Sequence, residues 1–171
     1  QSLPLVSDGS PFLNGYEINT YKEVIDDMVV SLSFYGRAIN SLSDDDVRIS
    51  KRLYLPAKKL RGFEAGKIGP KDSNDYIGGN YSAAVNAATT VPYVFQTLEN
   101  LDMKMFLDAA NVWGVDYSDT IDDSNKIRSS VGVAVDWFTV IGPLNFSLSQ
   151  PITKAGSDKT EKFRFQIGTT F

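Results

Sequence analysis

The sequence contains neither cysteine nor histidine among its 171 residues. These absences exclude disulfide bonds, cysteine nucleophiles, histidine-based catalytic triads and zinc sites of the usual kind. Glu17 and Glu23 lie on a predicted strand with no nucleophile or base beside them. We therefore expect a protein that is not an enzyme and that holds no cofactor and no metal.

Long apolar runs and an excess of basic residues are missing as well. No run of eighteen apolar residues occurs, so we expect no transmembrane helix. The formal net charge is -4, whereas a nucleic-acid-binding face is basic, so we expect no nucleic-acid partner. The first residues show no basic segment followed by an apolar one, and we expect no signal peptide in this sequence.

Apolar residues recur with period two, which is the repeat of a β-strand. The clearest example is the C-terminal segment FRFQIGTTF, where Phe163, Phe165, Ile167 and Phe171 alternate with polar or small residues. We predict an all-β, antiparallel protein of about eight strands without helices. The other predicted strands are GYEINTYKEV (15–24), MVVSLSFYGRA (28–38), VRISKRLYL (47–55), YSAAVNAAT (81–89), LDMKMFLDA (101–109), SSVGVAVDW (129–137) and LNFSLSQ (144–150).

The connections between these segments alternate between short and long ones. Asp26-Asp27 and the break near Gly142-Pro143 are tight turns, whereas the chain from about 55 to 77 and from 114 to 125 forms long loops. Long loops at one end of a sheet are typical of transmembrane barrels. We find no internal boundary and predict one domain over residues 1–171, with its long extracellular loop at about 55–77.

Periodicity alone leaves open which face of the sheet is wet. A soluble lipocalin-like barrel places its apolar face inside, and an outer-membrane barrel places it against lipid. The opposite faces carry small and charged residues together, which suits a hydrated lumen and favours the membrane barrel. We predict that one set points outward (Leu144, Phe146, Leu148, Phe165, Ile167) and the other inward (Asn145, Ser147, Ser149, Arg164, Gln166).

The stretch KKLRGFEAGKIGP (58–70) is too rich in glycine for a helix or an interior strand, yet too apolar for an idle solvated loop. The segment LRGFEAGKIGPKDSNDYIGGN (60–80) resembles the long extracellular loop of BamA-type outer-membrane protein assembly factors, which carries an Arg-Gly-Phe signature. The resemblance continues through FLDAANVW (106–113), IRSSVGVAVDW (127–137), IGPLNFSLSQPI (141–152) and FRFQIGTTF. It covers residues 47–171 with ordered motifs, and 12–46 more loosely.

The resemblance implies a sixteen-strand barrel of the bacterial outer membrane, preceded by periplasmic POTRA domains. Members of this family catalyse no bond chemistry and help other barrels to fold into the membrane. This sequence holds only about the last eight strands, so it resembles the C-terminal half of such a barrel. The implied partners are outer-membrane lipids, nascent barrel clients and, through POTRA domains that are missing here, accessory assembly lipoproteins.

In the family, the loop folds back into the lumen, and the motif arginine contacts the inner wall. The resemblance therefore implies that Arg61, Gly62 and Phe63 form a lock whose partner is Asp108. A guanidinium fork suits a bidentate carboxylate, Gly62 allows close backbone approach, and Phe63 wedges against the wall. Ala88 stands where the family often has a second acidic residue, so we expect one carboxylate only. Other residues shape the loop: Gly66, Gly69, Pro70, Gly78 and Gly79.

The family also works through an unstable seam between its first and last strands. Here the last strand, Phe163 to Phe171, would have to pair with the earliest strand, near Tyr16 to Val24, for the chain to close alone. We predict few hydrogen bonds across that junction, or pairing with a second copy through open strand edges. Gly168 adds backbone freedom to this seam strand.

Two other functions remain open for this sequence. A two-partner secretion pore also carries an Arg-Gly-aromatic loop motif, and a small passive barrel or anchor could retain the motif idle. Calcium binding by the acidic loop residues is disfavoured because they lack the EF-hand spacing, so we expect solvated loop tips. The residues concerned are Asp44, Asp45, Asp46, Asp116, Asp119, Asp122 and Asp123.

Overall fold

A computed structural model describes residues 11–42, 46–92, 100–121, 123, 125–140 and 142–168. Within these residues the chain forms nine β-strands and two 3₁₀ helices, Ile49–Lys51 and Ala57–Lys59. No helix in this part of the chain is long and apolar enough to cross a membrane. The strands are β1 Phe12–Ile25, β2 Met28–Asn40, β3 Lys71–Asp72, β4 Asp75–Tyr76, β5 Tyr81–Thr90, β6 Leu101–Trp113, β7 Arg128–Thr139, β8 Gly142–Thr153 and β9 Phe163–Ile167.

Seven strands form one antiparallel sheet in the order β1-β2-β5-β6-β7-β8-β9. Neighbouring strands in the sheet are also consecutive along the chain, apart from the small β3-β4 hairpin that lies inside the long loop. Consecutive strands pair antiparallel, which is the arrangement that a tight hairpin turn such as Asp26-Asp27 between β1 and β2 allows. The predicted all-β, antiparallel fold class is confirmed.

The two faces of the sheet differ as the alternation predicts. On β8, Leu148 is exposed, whereas Ser147 and Ser149 are buried on the opposite face. Phe165 and Ile167 on β9 are exposed as well. Leu144, Phe146, Asn145 and Arg164 are half-buried, and Gln166 is exposed because it lies on an edge strand. The apolar face thus lies outside, as expected for a barrel segment surrounded by lipid.

One predicted strand is wrong. The segment 47–55 contains a 3₁₀ turn at Ile49–Lys51 and a single bridge between Leu53 and Gly79 instead of a strand. Its buried apolar residues are divided between two clusters: Val47 and Leu53 pack beside Ile39, and Leu55 belongs to a second cluster. The alternation in this segment therefore reflects local packing over the sheet, and the main sheet has seven strands.

The sheet has two edges without a described neighbour. Within the described residues, β1 pairs only with β2, and β9 pairs only with β8 over Leu144–Leu148. No ladder joins the segment Tyr16–Val24 to β9 among these residues. Phe171 lies outside the described residues, and Gly168 follows β9 with a φ of 134°. Backbone N–H and C=O groups without a hydrogen-bond partner are costly in lipid, so we expect both edges to pair with another strand.

Candidate functional site

The long loop packs against the inner face of the sheet, and this contact makes the main apolar core. Leu60, Phe63 and Ile68 from the loop are almost completely buried. They form a cluster with strand residues that also includes Leu55 of the loop; the strand residues are Tyr35, Ala84, Ala110 and Val112. The outward face of the sheet is apolar but does not contact this core. The hydrophobic contacts of the interior therefore come from the loop residues packed on the inward-facing side chains of the strands.

Arg61 and Asp108 form a bidentate ion pair at the centre of this contact. The Nε and Nη2 groups of Arg61 donate to the two carboxylate oxygens of Asp108 at 2.8 and 2.7 Å. The backbone N–H of Arg61 donates to the same carboxylate at 3.1 Å. The guanidinium also lies 3.4 Å from the ring centroid of Phe106. A fully buried carboxylate requires such compensation, and the planar fork supplies it with fixed geometry.

Asn86 also binds the Asp108 carboxylate, a contact that the sequence did not predict. It lies opposite Asp108 in the β5–β6 ladder and donates to that carboxylate at 2.9 Å. Its side-chain amide also lies 2.8 Å from the carbonyl of Lys59, at the start of the motif. Ala88, in contrast, lies opposite Phe106. The available signal was that Asn86 is the one strongly polar inward residue in YSAAVNAAT.

Gly62 brings the loop backbone into direct contact with the sheet. Its φ is 90°, and a Cβ there would lie 3.1 Å from Ser149 Cβ and 3.2 Å from Ser130 Cβ. The Ser130 hydroxyl donates to the carbonyl of Arg61. Two features of this position therefore require glycine: its left-handed backbone conformation and the lack of space for a side chain.

Phe63 is buried and its backbone continues into a contact with the chain that precedes β9. Phe63 forms an antiparallel bridge with Thr160. The Nη2 group of Arg164 donates to the carbonyl of Phe63 at 2.5 Å. The loop motif is therefore held on one side by β6 and on the other by the segment that leads into the last strand.

The remaining loop residues lie where the chain turns or approaches the sheet. Gly66 is in a turn, Gly69 approaches Val112, and Pro70 is fully buried. Gly78 also has a positive φ. Gly79 has the closest approach, since a Cβ there would lie 2.3 Å from the carbonyl oxygen of Trp113. The backbone after the loop can enter β5 only because this position lacks a side chain.

A second arginine, Arg52, connects the chain just before the long loop to Asp116. The Arg52 guanidinium forms an ion pair with Asp116, which also accepts hydrogen bonds from the Val47 N–H at 2.7 Å and the Asn80 amide at 3.1 Å. Burial disfavours the ionised carboxyl, but these hydrogen bonds and the Arg52 charge hold the pKa of Asp116 below its usual value. Asp116 is therefore a paired residue and not only a solvated loop tip.

A third arginine, Arg128, is completely buried at the start of β7. It donates to Asp158 at 3.0 and 2.9 Å, to Asp123 at 2.6 Å and to the Asn111 side chain at 2.6 Å. Asp123 thus also has a partner, although the sequence predicted a solvated position. Among the residues that the structure describes, no cluster of three His, Cys, Asp or Glu side chains could hold a metal ion.

Comparisons with known proteins identify the family of this chain. The model of the Omp85 superfamily domain matches residues 5–171. The outer membrane protein assembly factor BamA of Neisseria meningitidis is 32% identical over 139 residues, which are 66% of this chain and 17% of that protein. The BamA of Neorickettsia risticii is 29% identical over 146 residues, 84% of this chain and 20% of that protein. The human sorting and assembly machinery component 50 homolog is 28% identical over 116 residues, 61% of this chain and 24% of that protein.

A solved structure gives the same result for the fold. The crystal structure of BamA from Haemophilus ducreyi lacking POTRA domains 1–3 matches with a TM-score of 0.84 and 29% sequence identity. The match covers 95% of this chain and 35% of that one. The chain spans only about a fifth of the length of the bacterial relatives, 17% and 20%. The predicted resemblance, barrel fold and bacterial outer-membrane location are confirmed, and the chain belongs to the Omp85 superfamily.

Proposed function

We propose that this chain is the C-terminal barrel portion of an outer-membrane protein assembly factor, which helps other β-barrel proteins to fold and insert and catalyses no bond chemistry. The observation that carries the proposal is the docked loop, in which Arg61 is bound in bidentate fashion by the buried Asp108. The similarity to BamA proteins and to the human sorting and assembly machinery component supports the same role.

The docked loop gives such a factor a stable inner wall. Three hydrogen bonds from Arg61 and one from Asn86 converge on one carboxylate in a site from which water is largely excluded. Electrostatic interactions are stronger in such surroundings than in water. The loop thereby stays packed on the inner face of β2 and β5 to β8. Strand β9 is a short strand at the edge of the sheet. Its free backbone groups offer a pairing surface to a client strand.

The partners follow from the same arrangement. The exposed outward set, which includes Leu148, Phe165 and Ile167, would contact outer-membrane lipids. Nascent barrel clients would pair at the β9 edge, and accessory lipoproteins would act through POTRA domains outside this sequence. The β1 edge would pair with upstream strands of the complete barrel, or with a second copy in the isolated chain. The loop at about 55–77 would lie on the extracellular side.

Reconstitution of the full-length protein in liposomes tests the role. The measurement is the rate at which an unfolded eight-strand barrel client becomes folded, with Arg61→Gln compared to wild type. Lys126→Gln is a matched control, because it also removes one positive charge, at an exposed position outside the docked loop. We expect slower client folding for Arg61→Gln and a normal rate for Lys126→Gln.

The other outcomes identify other functions. Transport of an unfolded polypeptide across the membrane without acceleration of client folding would indicate a secretion pore. Ion conductance alone would indicate a passive barrel with an idle motif. Either result would contradict the proposal.

A further inference from the structure

The residues just before the last strand pair with the loop motif. The N–H of Glu64 donates to the carbonyl of Lys159 at 3.0 Å, and the N–H of Glu161 donates to the carbonyl of Gly62 at 3.0 Å. These two bonds flank the bridge between Phe63 and Thr160. Further along, the N–H of Lys159 donates to the carbonyl of Lys67 at 3.1 Å. Residues 159–161 and the loop therefore form a short antiparallel ladder.

The loop and strand β8 bind opposite edges of the segment that leads into β9. Strand β8 continues to Thr153, but β9 is paired with it only from Leu144 to Leu148, and the N–H of Ser149 donates to the carbonyl of Lys162 at 2.8 Å. Backbone groups alternate between the two edges of a strand, so this bond directs the groups of even-numbered residues toward β8. The groups of residues 159 and 161, which bond to the loop, face the other edge. The loop therefore provides a partner for this segment on the edge away from β8.

Arg164 connects β9 itself to the loop. Its Nη1 donates to the carbonyl of Ala57 at 2.7 Å, and its Nη2 donates to that of Phe63 at 2.5 Å. Its Nε donates to the Glu161 carboxylate at 2.8 Å, which fixes the plane of the guanidinium. One side chain of the last strand thus holds the loop on both sides of Arg61. The Arg164 side chain is only 11% exposed, so these bonds are little weakened by water.

The other end of the segment is anchored to the sheet and to the loop. Asp158, whose side chain is fully buried, forms the ion pair with Arg128 at the start of β7. The hydroxyl of Tyr76 in the β3-β4 hairpin donates to the carbonyl of Ser157. The chain from 157 to 164 therefore contacts the loop at several points between Ala57 and Tyr76.

We propose that Arg164 is a positioning residue that, with residues 159–161, couples the docking of the loop to the pairing of the last strand. The inference rests on the proposed function, in which the loop lock and the β9 edge are the working parts. Coupling between two sites is reciprocal. Weakening the Arg61–Asp108 contact therefore loosens β9, and loosening β9 weakens that contact. A client strand that displaces β9 would release the loop through this connection.

Amide hydrogen exchange of the full-length protein in lipid nanodiscs tests this coupling without a client. In Arg164→Lys, which keeps the charge but loses the three-way fork, we expect faster exchange at Arg61 and Glu64. In Arg61→Lys, we expect faster exchange at Glu161 and in β9. A coupling free energy of the usual size corresponds to roughly a 5- to 150-fold increase in local opening. Glu161→Gln, which removes only the ion pair to Arg164, should give a smaller increase in the same amides.

Lys126→Gln is again the control, since it changes an exposed side chain outside the loop ladder. We expect its exchange at Glu64, Glu161 and β9 to remain at the wild-type rate. Faster exchange at the loop in Arg61→Lys without a change at Glu161 and β9 would overturn the coupling. Because client folding is not measured, a failure of this inference is distinct from a failure of the assembly role.

Discussion

Asp108 and Arg61 are 47 positions apart in the chain, and the carboxylate of one accepts three hydrogen bonds from the other. The two residues are not equivalent, because Asp108 is completely buried while the Arg61 side chain retains 19% exposure. A buried charge that loses its partner cannot be solvated, whereas a partly exposed one can turn toward water. The arginine is therefore the more demanding member of the pair to replace.

We expect Arg61→Gln to lower the free energy of unfolding by about 3–5 kcal/mol, since it leaves a buried carboxylate without its cation. Asp108→Asn should lower the free energy of unfolding by less, because it leaves no buried charge behind and the partly exposed Arg61 guanidinium can turn toward water. Urea denaturation in detergent, with the double variant to complete the cycle, measures the coupling between them. Equal losses in the two single variants would contradict the asymmetry.

Gly62→Ala should destabilise loop docking by about 1–3 kcal/mol, because alanine is strained at positive φ and its methyl group would press on Ser130 and Ser149. Gly156→Ala is the matched control, since no atom lies within 4 Å of a Cβ at that position. We expect the control to change stability by less than about 0.5 kcal/mol. Thermal unfolding of both variants, with protease cleavage of the loop as a second readout, provides the measurement. A neutral Gly62→Ala variant would show that the loop is not held this closely.

Acidification should release the segment that begins at Val47. The folded pKa of Asp116 lies below its ordinary value, so its stabilising contribution is complete above about pH 4, the ordinary pKa of aspartate, and is lost as the pH falls through the lowered value. Exchange at the Val47 amide, after correction for the intrinsic pH dependence, should therefore accelerate below about pH 4. Asp116→Asn should remove this pH dependence. A variant that keeps it would assign the transition to another carboxyl group.

The isolated 171-residue chain should self-associate in detergent through the edges of β1 and β9. Within the described residues these edges have no partner, and unsatisfied backbone groups cost several kcal/mol each in an apolar phase, so pairing with a second copy is favoured. Light scattering at several concentrations measures the oligomeric state. A monodisperse monomer with slow amide exchange in both β1 and β9 would show instead that the chain closes on itself.

Alternation of side chains was enough to predict the sheet and to divide its residues between two faces, and the small and charged residues on one face indicated that the other faces lipid. Leu148, Phe165 and Ile167 lie on the outward face because successive side chains of a strand point to opposite faces, which is a local property of the backbone. The same rule failed for 47–55, where Leu53 and Val47 are buried by packing over the sheet. An alternating pattern of apolar residues does not distinguish a strand from an irregular segment whose apolar residues pack against residues distant in the chain.

The candidate site depended on contacts that no local pattern contains. The Arg-Gly-Phe motif and Asp108 were indicated by resemblance, but Asn86, Arg52 and Arg128 could not be assigned partners from the sequence. The contact between Arg164 and Ala57 spans 107 positions. Sequence by itself determined the seven strands of the main sheet and which of their residues share a face, because these follow from interactions between near neighbours. Tertiary structure decided which charges meet and how the last strand is tied to the loop, because those partners come together only when the sheet forms.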